Sequence, residues 1–344
     1  MTFTTSQEVT TGGPSRPPTL PNRKDYTLTI NTIAIVGAGY MGGGIAQVFA
    51  IAGHPVILAD ADAEVSKRNL VRLIAEAKDW EERGLFLPGQ AALVEQNLSA
   101  ADSIEQAVSV ADFIEEAVPE KPEIKDAVLR RIEAAARPEA IIATNTSTLP
   151  ITDLAKSLSK PDRFLGVHFS NPSPFIPGVE VITHAGTDEA IVPEVEALVR
   201  ETGKLPARLK DSPGFVLNRL QYALLKEAIS LVDDGVATAE DVDIIVRTTF
   251  GFRLPFFGPF AIADMAGLDI YRDCFRTFED NYGERFATPE GLIELVENGH
   301  LGTKSGGGFV IPAGDTSDLI AYRNTAYARL SQLLTELGQA PGVK

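Results

Sequence analysis

The densest chemical signal in this chain is the stretch IAIVGAGYMGGGIAQVF, residues 33–49, where Gly37, Gly39 and Gly42 spell G-x-G-x-x-G between a strand-like run and a helical one. The first glycine permits a tight turn, the second lets the backbone approach a pyrophosphate, and the third lets helix pack on strand. Free amides at a helix start, at the positive end of its dipole, suit a diphosphate. Tyr40 and Met41, between the second and third glycines, fall in the same cofactor-binding set. Asp60 follows Gly42 by eighteen residues, at the end of the next strand-like run. A carboxylate there accepts both ribose hydroxyls and repels a 2′-phosphate, and Ala61 and Asp62 supply no arginine to hold one. NAD is therefore expected rather than NADP. The plainer alternative is a glycine-rich turn with a surface aspartate beyond it.

A nicotinamide enzyme that oxidises an alcohol needs a base for the hydroxyl proton, and histidine suits that task near neutral pH. The chain has four: His54, His168, His184 and His300. His54 sits in a turn before the second strand-like run, and His184 and His300 lie in polar, loop-like contexts. His168 ends RFLGVH, beside the proline-bracketed loop NPSPFIP, and Glu180 stands twelve residues on, in VEVI. A carboxylate returning to the imidazole would fix its tautomer and stabilise the imidazolium. The same histidine could serve structure alone.

The elements that must hold these residues are an alternation of strands and helices. Runs at 32–36 and 55–59 flank a helical stretch at about 41–52, a βαβ unit. Residues 62–97 are helical and charged, broken by RGLFLPG into a hairpin. ADFIEEAV, AIIATNTS, RFLGVHF and VEVI then read as strands, with a helix at 124–136 among them. This predicts an α/β fold with a Rossmann-like, mostly parallel sheet over residues 31–210. After KDSPGFVLNRL the pattern turns helical, giving an all-α C-terminal domain at 211–312 and an amphipathic helix and tail at 313–344. Residues 1–30, rich in Ser, Thr, Pro and Gly, read as a disordered extension with too few arginines (Arg16, Arg23) for a mitochondrial presequence.

The net charge of −16 argues against nucleic acid or an anionic membrane as partner. Cys274 is the single cysteine, so no intramolecular disulfide forms and a reducing, cytoplasmic setting is expected. No Cys/His cluster has metal-ligand spacing, so no metal is expected.

In order along the chain, GAGYMGGGIA with Asp60, ATNTSTLPIT, RFLGVHFSNPSPFIPGVEVI, DSPGFVLNRL and KSGGGF resemble the motifs of the 3-hydroxyacyl-CoA dehydrogenase family, over about residues 32–311. The resemblance implies an NAD-binding domain, a helical domain that mediates homodimerisation, and a site in the cleft between them. It implies His168 as catalytic base and Glu180 as its orienting partner. Ser147 matches the hydroxyl that contacts the substrate oxygen and nicotinamide region, and Asn218 the amide that helps hold that oxygen. Glu120, Lys125 and Asn171 match positions lining the cofactor site. Read locally, Ser147 is a turn hydroxyl and Asn218 a helix-start cap.

The substrate is less firmly marked. Ser170 replaces the aromatic usual after HF, and the hairpin at 62–97 carries five basic residues (Lys67, Arg68, Arg72, Lys78, Arg83) against seven acidic ones. Fatty-acid members of the family tend to be Lys-rich there, to meet the CoA phosphates. Three readings therefore stand: a dehydrogenase of 3-hydroxyacyl-CoA thioesters, the same chemistry on a free hydroxy-carboxylate such as a sugar acid, a carnitine-like acid or a pyridine carboxylate, and a non-catalytic structural protein.

Overall fold

The computed structural model describes residues 30–341, so the expected N-terminal extension lies, but for Ile30, outside the described residues. The chain divides into two compact units at Tyr222.

The first unit opens with β1 (Ile33–Val36), α1 (Tyr40–Ile51) and β2 (Val56–Ala59), the expected βαβ unit. The charged hairpin is α2 (Ala63–Glu82) and α3 (Gln90–Asn97). The Asp62 carboxylate caps α2 by accepting from the Val65 amide at 2.9 Å. There follow β3 (Leu98–Ala100), α4 (Ile104–Val108), β4 (Phe113–Glu116), α5 (Pro122–Ala135), β5 (Ile141–Thr144) and α6 (Ile151–Ala155). The unit closes with β6 (Phe164–Phe169), β7 (Gly178–Thr183), α7 (Val192–Glu201), β8 (Leu205–Lys210) and the start of α8 (Leu217–Asp233).

Eight strands form one sheet in the order β3-β2-β1-β4-β5-β6-β7-β8, parallel except for the antiparallel β6–β7 pair. Every residue of β1, β4, β5 and β6 is buried, as both faces of the sheet are covered by helices. The strand order reverses between β1 and β4, and the crevice at the carboxyl ends of these two strands is where such sheets take ligands. Two strands escape the sequence reading. β3 has only three residues, and β8 (LPARLK) is an edge strand whose proline and charges hide its pairing with β7.

The second unit holds the rest of α8, α9 (Ala239–Thr248), α10 (Phe250–Arg253), α11 (Pro259–Ala266), α12 (Leu268–Tyr282), α13 (Glu290–Glu297) and α14 (Ser317–Leu337). Among its described residues the sole strand-like pairing is the bridge between Gly302 and Gly307. Its small core joins Ala263, Leu268, Leu292 and Val296. Buried Asp264 accepts from the amides of Phe309, Val310 and Ile311, each at 2.9 Å, and so fixes the end of KSGGGF onto α11.

Candidate active site

The glycine turn is built as its spacing predicts. Gly37 takes φ +104°, and its amide donates to the Ala59 carbonyl of β2 at 2.8 Å. A Cβ on Gly42 would overlap the Gly37 carbonyl oxygen, so α1 approaches β1 closely only with glycine there. A Cβ on exposed Gly39 would meet nothing within 4 Å, which leaves an open cradle at the N-terminus of α1. The Gly43 amide donates to the Gly39 carbonyl at 2.8 Å, so the amides of Tyr40, Met41 and Gly42 precede the first closed turn of the helix. Asp60 reaches over this turn: Oδ2 accepts from the Ala38 amide at 2.7 Å and Oδ1 from the Ala61 amide at 2.7 Å. An open, amide-lined cradle with a carboxylate at its rim fits a dinucleotide diphosphate and ribose. Arg72, from α2, also reaches the turn by donating to the Ala38 carbonyl at 3.3 Å. At 34 residues' separation it left no local signal in the sequence.

His168 and Glu180 lie directly opposite one another in the β6–β7 ladder, which explains their spacing of twelve. Nδ1 of His168 is 2.7 Å from Oε2 of Glu180. Oε1 of Glu180 accepts from the Val216 and Leu217 amides at 3.0 and 2.9 Å, the orphan donors at the start of α8. Burial works to raise the Glu180 pKa. The His168 ring and these two amides outweigh it and hold the carboxyl below the ordinary value. An ionised Glu180 places the imidazole proton on Nδ1 and leaves the Nε2 lone pair available.

The turn that delivers those amides is strained. Gly214 has φ +75° and Phe215 φ +52°, a region bulky side chains avoid. The Phe215 ring is buried, 5.8 Å from the His168 ring, and this packing holds the residue in place. Nothing in the spacing of SPGFVL marks Phe215 beforehand.

Ser147 lies in the turn after β5, with both backbone groups held. Its amide donates to Oε1 of Glu120 at 2.8 Å, and its carbonyl accepts from Nδ2 of Asn218 at 2.7 Å. Glu120 also takes the Thr146 hydroxyl at 2.7 Å and the Thr148 amide at 3.0 Å. Burial pushes the Glu120 pKa up. The Thr146 hydroxyl, the Lys125 ammonium and the two amides more than offset that, so its carboxyl stays below the ordinary value.

Lys125 sits differently from Glu120. It is only 1% exposed, its ammonium bonded to Glu116 at 2.9 and 3.1 Å and 3.4 Å from Oε2 of Glu120, so it lies behind Glu120. Asn171 is exposed at the start of the loop after β6, ahead of a cis bond to Pro172. That loop packs Phe175 on Trp80 (5.1 Å) and Phe86 (6.1 Å), and Lys204 donates to its Ile176 carbonyl at 2.7 Å.

The other histidines are engaged elsewhere: His54 with Glu201 at 3.1 Å, His184 with the Pro161 carbonyl at 3.1 Å and His300 with the Gly306 carbonyl at 2.6 Å. No group of three or more metal-ligating side chains occurs among the described residues. No described helix is long and apolar enough to cross a membrane.

Comparison with known proteins adds the following. Residues 32–212 match the family model for the 3-hydroxyacyl-CoA dehydrogenase NAD binding domain, and residues 214–311 that for its C-terminal domain. The chain is 38% identical to 5-formyl-3-hydroxy-2-methylpyridine 4-carboxylate 5-dehydrogenase of Mesorhizobium japonicum, across 81% of this chain and 90% of that protein. It is 35% identical to a probable 3-hydroxybutyryl-CoA dehydrogenase of Bacillus subtilis, across 82% and 97% respectively. Among solved structures, the 3-hydroxyacyl-CoA dehydrogenase of Archaeoglobus fulgidus superposes with a TM-score of 0.74 at 32% identity, covering 90% of this chain and 99% of that one.

Proposed function

We propose, given that the chain belongs to the 3-hydroxyacyl-CoA dehydrogenase family and is an NAD-dependent oxidoreductase acting on CH–OH groups, that it interconverts a 3-hydroxyacyl-CoA such as 3-hydroxybutyryl-CoA with its 3-oxo counterpart, using His168 as base. The observation that carries this reading is the His168–Glu180 pair at 2.7 Å, with the second Glu180 oxygen locked on two amides. Nε2 of His168 takes the hydroxyl proton as the carbinol carbon is oxidised, and Glu180 stabilises the resulting imidazolium. The Ser147 hydroxyl and the Asn218 amide hold the substrate oxygen. The amides at the start of α1 would hold the diphosphate of NAD and Asp60 its ribose, with Glu120 and Asn171 lining the site, and the bound cofactor would accept the hydride. His168→Ala should slow NADH formation from 3-hydroxybutyryl-CoA about a hundredfold or more while NAD still binds; a fully active variant would rule His168 out as the base.

A second reading, oxidation of a free hydroxy-carboxylate, has its own observation. Four of the five basic side chains on the α2–α3 hairpin are already paired with acids: Lys67 with Asp102, Arg72 with Glu76, Lys78 with Glu95 and Arg83 with Asp79. Little free positive charge remains there for CoA phosphates, and the Mesorhizobium relative is named for a pyridine carboxylate. Comparing NADH formation from 3-hydroxybutyryl-CoA and from a panel of free hydroxy acids decides between the two.

We further infer that the enzyme works in the cytoplasm as a homodimer. Leu224, Leu225 and Ile229 of α8 are each more than 40% exposed in the single chain, a stripe a second copy would cover.

A further inference from the structure

β4 ends in two adjacent glutamates, and strand alternation sends them to opposite faces of the sheet. Glu116, fully buried, has every interaction a carboxylate needs. It accepts from the Lys125 ammonium at 2.9 and 3.1 Å, from the Thr144 hydroxyl at 2.6 Å and from the Val118 amide at 2.7 Å. Burying two charges adds little to stability compared with apolar residues of the same size, so such a pair is better explained by what it orients.

What it orients is Glu120. Lys125 lies closer to Glu116 than to Oε2 of Glu120, at 3.4 Å, so it attracts Glu120 without capturing it. Oε1 of Glu120 is left to gather the Thr146 hydroxyl and the Ser147 and Thr148 amides. Without the Glu116 charge, Lys125 would turn its full ammonium to Glu120 and draw the carboxylate away from those amides.

We propose that Glu116 is a positioning residue for the reaction, setting the Ser147 hydroxyl through Lys125 and Glu120. The inference rests on the reading of Ser147 as a substrate contact. Thr144 belongs to the same device, because its hydroxyl fixes the second oxygen of Glu116.

The test uses the full chain and two readouts, amide hydrogen exchange over residues 145–149 and the steady-state reduction of acetoacetyl-CoA by NADH. In Glu116→Gln the Ser147 and Thr148 amides should exchange about tenfold faster or more, with β1 and β6 unchanged. The turnover number should fall at least tenfold, a larger change than that in the NADH dissociation constant. Removing both charges, in Glu116→Gln with Lys125→Met, should slow exchange again, since the competing cation is gone. Thr144→Val should move both readouts the same way by less, and serves if the glutamine variant does not fold.

Unchanged exchange at 147–148, or equal loosening of every strand, overturns the proposal. Ser147→Ala separates the two layers of inference. If it keeps full turnover while Glu116→Gln speeds exchange, the substrate contact is wrong and the clamp stands. If it loses turnover while Glu116→Gln leaves exchange alone, the contact stands and the clamp is wrong.

Discussion

The two compact units bury their apolar surface in different ways. The first covers both faces of its sheet, and side chains such as Phe49, Phe113, Phe164 and Phe169 are almost wholly enclosed. The second has a core cluster of four buried apolar residues, and α8 has no buried residue along its seventeen positions. Sequence alone makes α8 look like an ordinary amphipathic helix, since Leu225, Ile229 and Val232 repeat at helical spacing. The first unit can thus be argued from its own chain, whereas the second leaves the apolar stripe of α8 exposed, the stripe that a second copy is proposed to cover.

The sharpest test of that contrast is to charge the uncovered stripe. Leu225→Glu with Ile229→Glu should convert a homodimer into a monomer at micromolar concentration, read by light scattering, with the first unit still folded and binding NAD. A wild-type monomer would show that the exposed stripe needs no second copy.

Next in size is the dyad of the first unit. His168→Ala and Glu180→Gln should each lower the turnover number by about a hundredfold or more, the usual worth of general-base catalysis. If the two act as one unit, as proposed, the double variant should be little worse than either alone. Additive losses would mean that Glu180 does something besides orienting the ring.

The site was legible to unequal degrees, and the reasons are physical. The glycine turn, Asp60 and the His168–Glu180 pair could be found because each sits within one supersecondary unit, where spacing and geometry coincide. β8 was lost because its pairing depends on β7, not on its own pattern. Glu116 and Thr144 were lost for the same reason: their bond joins strands 28 residues apart. Phe215 carried no signal, because a left-handed bulky residue is held by what packs on it. The positions of Ser147, Asn218 and Lys125 came only through resemblance, and Lys125 proved to be deeper than a residue lining a cofactor site would be.

The glycine turn offers a finer test, because its glycines exist for different neighbours. Gly42→Ala overlaps the Gly37 carbonyl and should lower the melting temperature and NAD affinity together. Gly39→Ala meets nothing in the protein, so it should leave the melting temperature unchanged while weakening NAD binding about tenfold or more. If both variants lost stability alike, the cradle would be part of the packing and not space kept for a ligand.

The smallest expected effect lies at a place where the well-packed unit leaves a buried carboxyl without partners. Glu115, on the face of β4 opposite Glu116, is fully buried, and neither carboxylate oxygen has a hydrogen-bond partner in the structure. Burial, with the neighbouring Glu116 charge adding to it, pushes its pKa well above the ordinary value, against a smaller opposing pull from Lys125. The folded chain therefore keeps Glu115 protonated at pH values where the unfolded chain has released that proton. The unfolded state binds fewer protons there, so stability declines as pH rises above the unfolded carboxyl value. The decline runs at up to about 1.4 kcal/mol per pH unit and stops at the raised folded value. Glu115→Gln cannot ionise and removes this contribution, whatever constant offset the amide introduces. Urea unfolding at pH 5.5 and 6.5 should show wild type losing more stability than the variant between the two, by at most about 1.4 kcal/mol. An equal loss in both proteins would mean that Glu115 is already ionised when folded, with water or a cation reaching it inside the sheet.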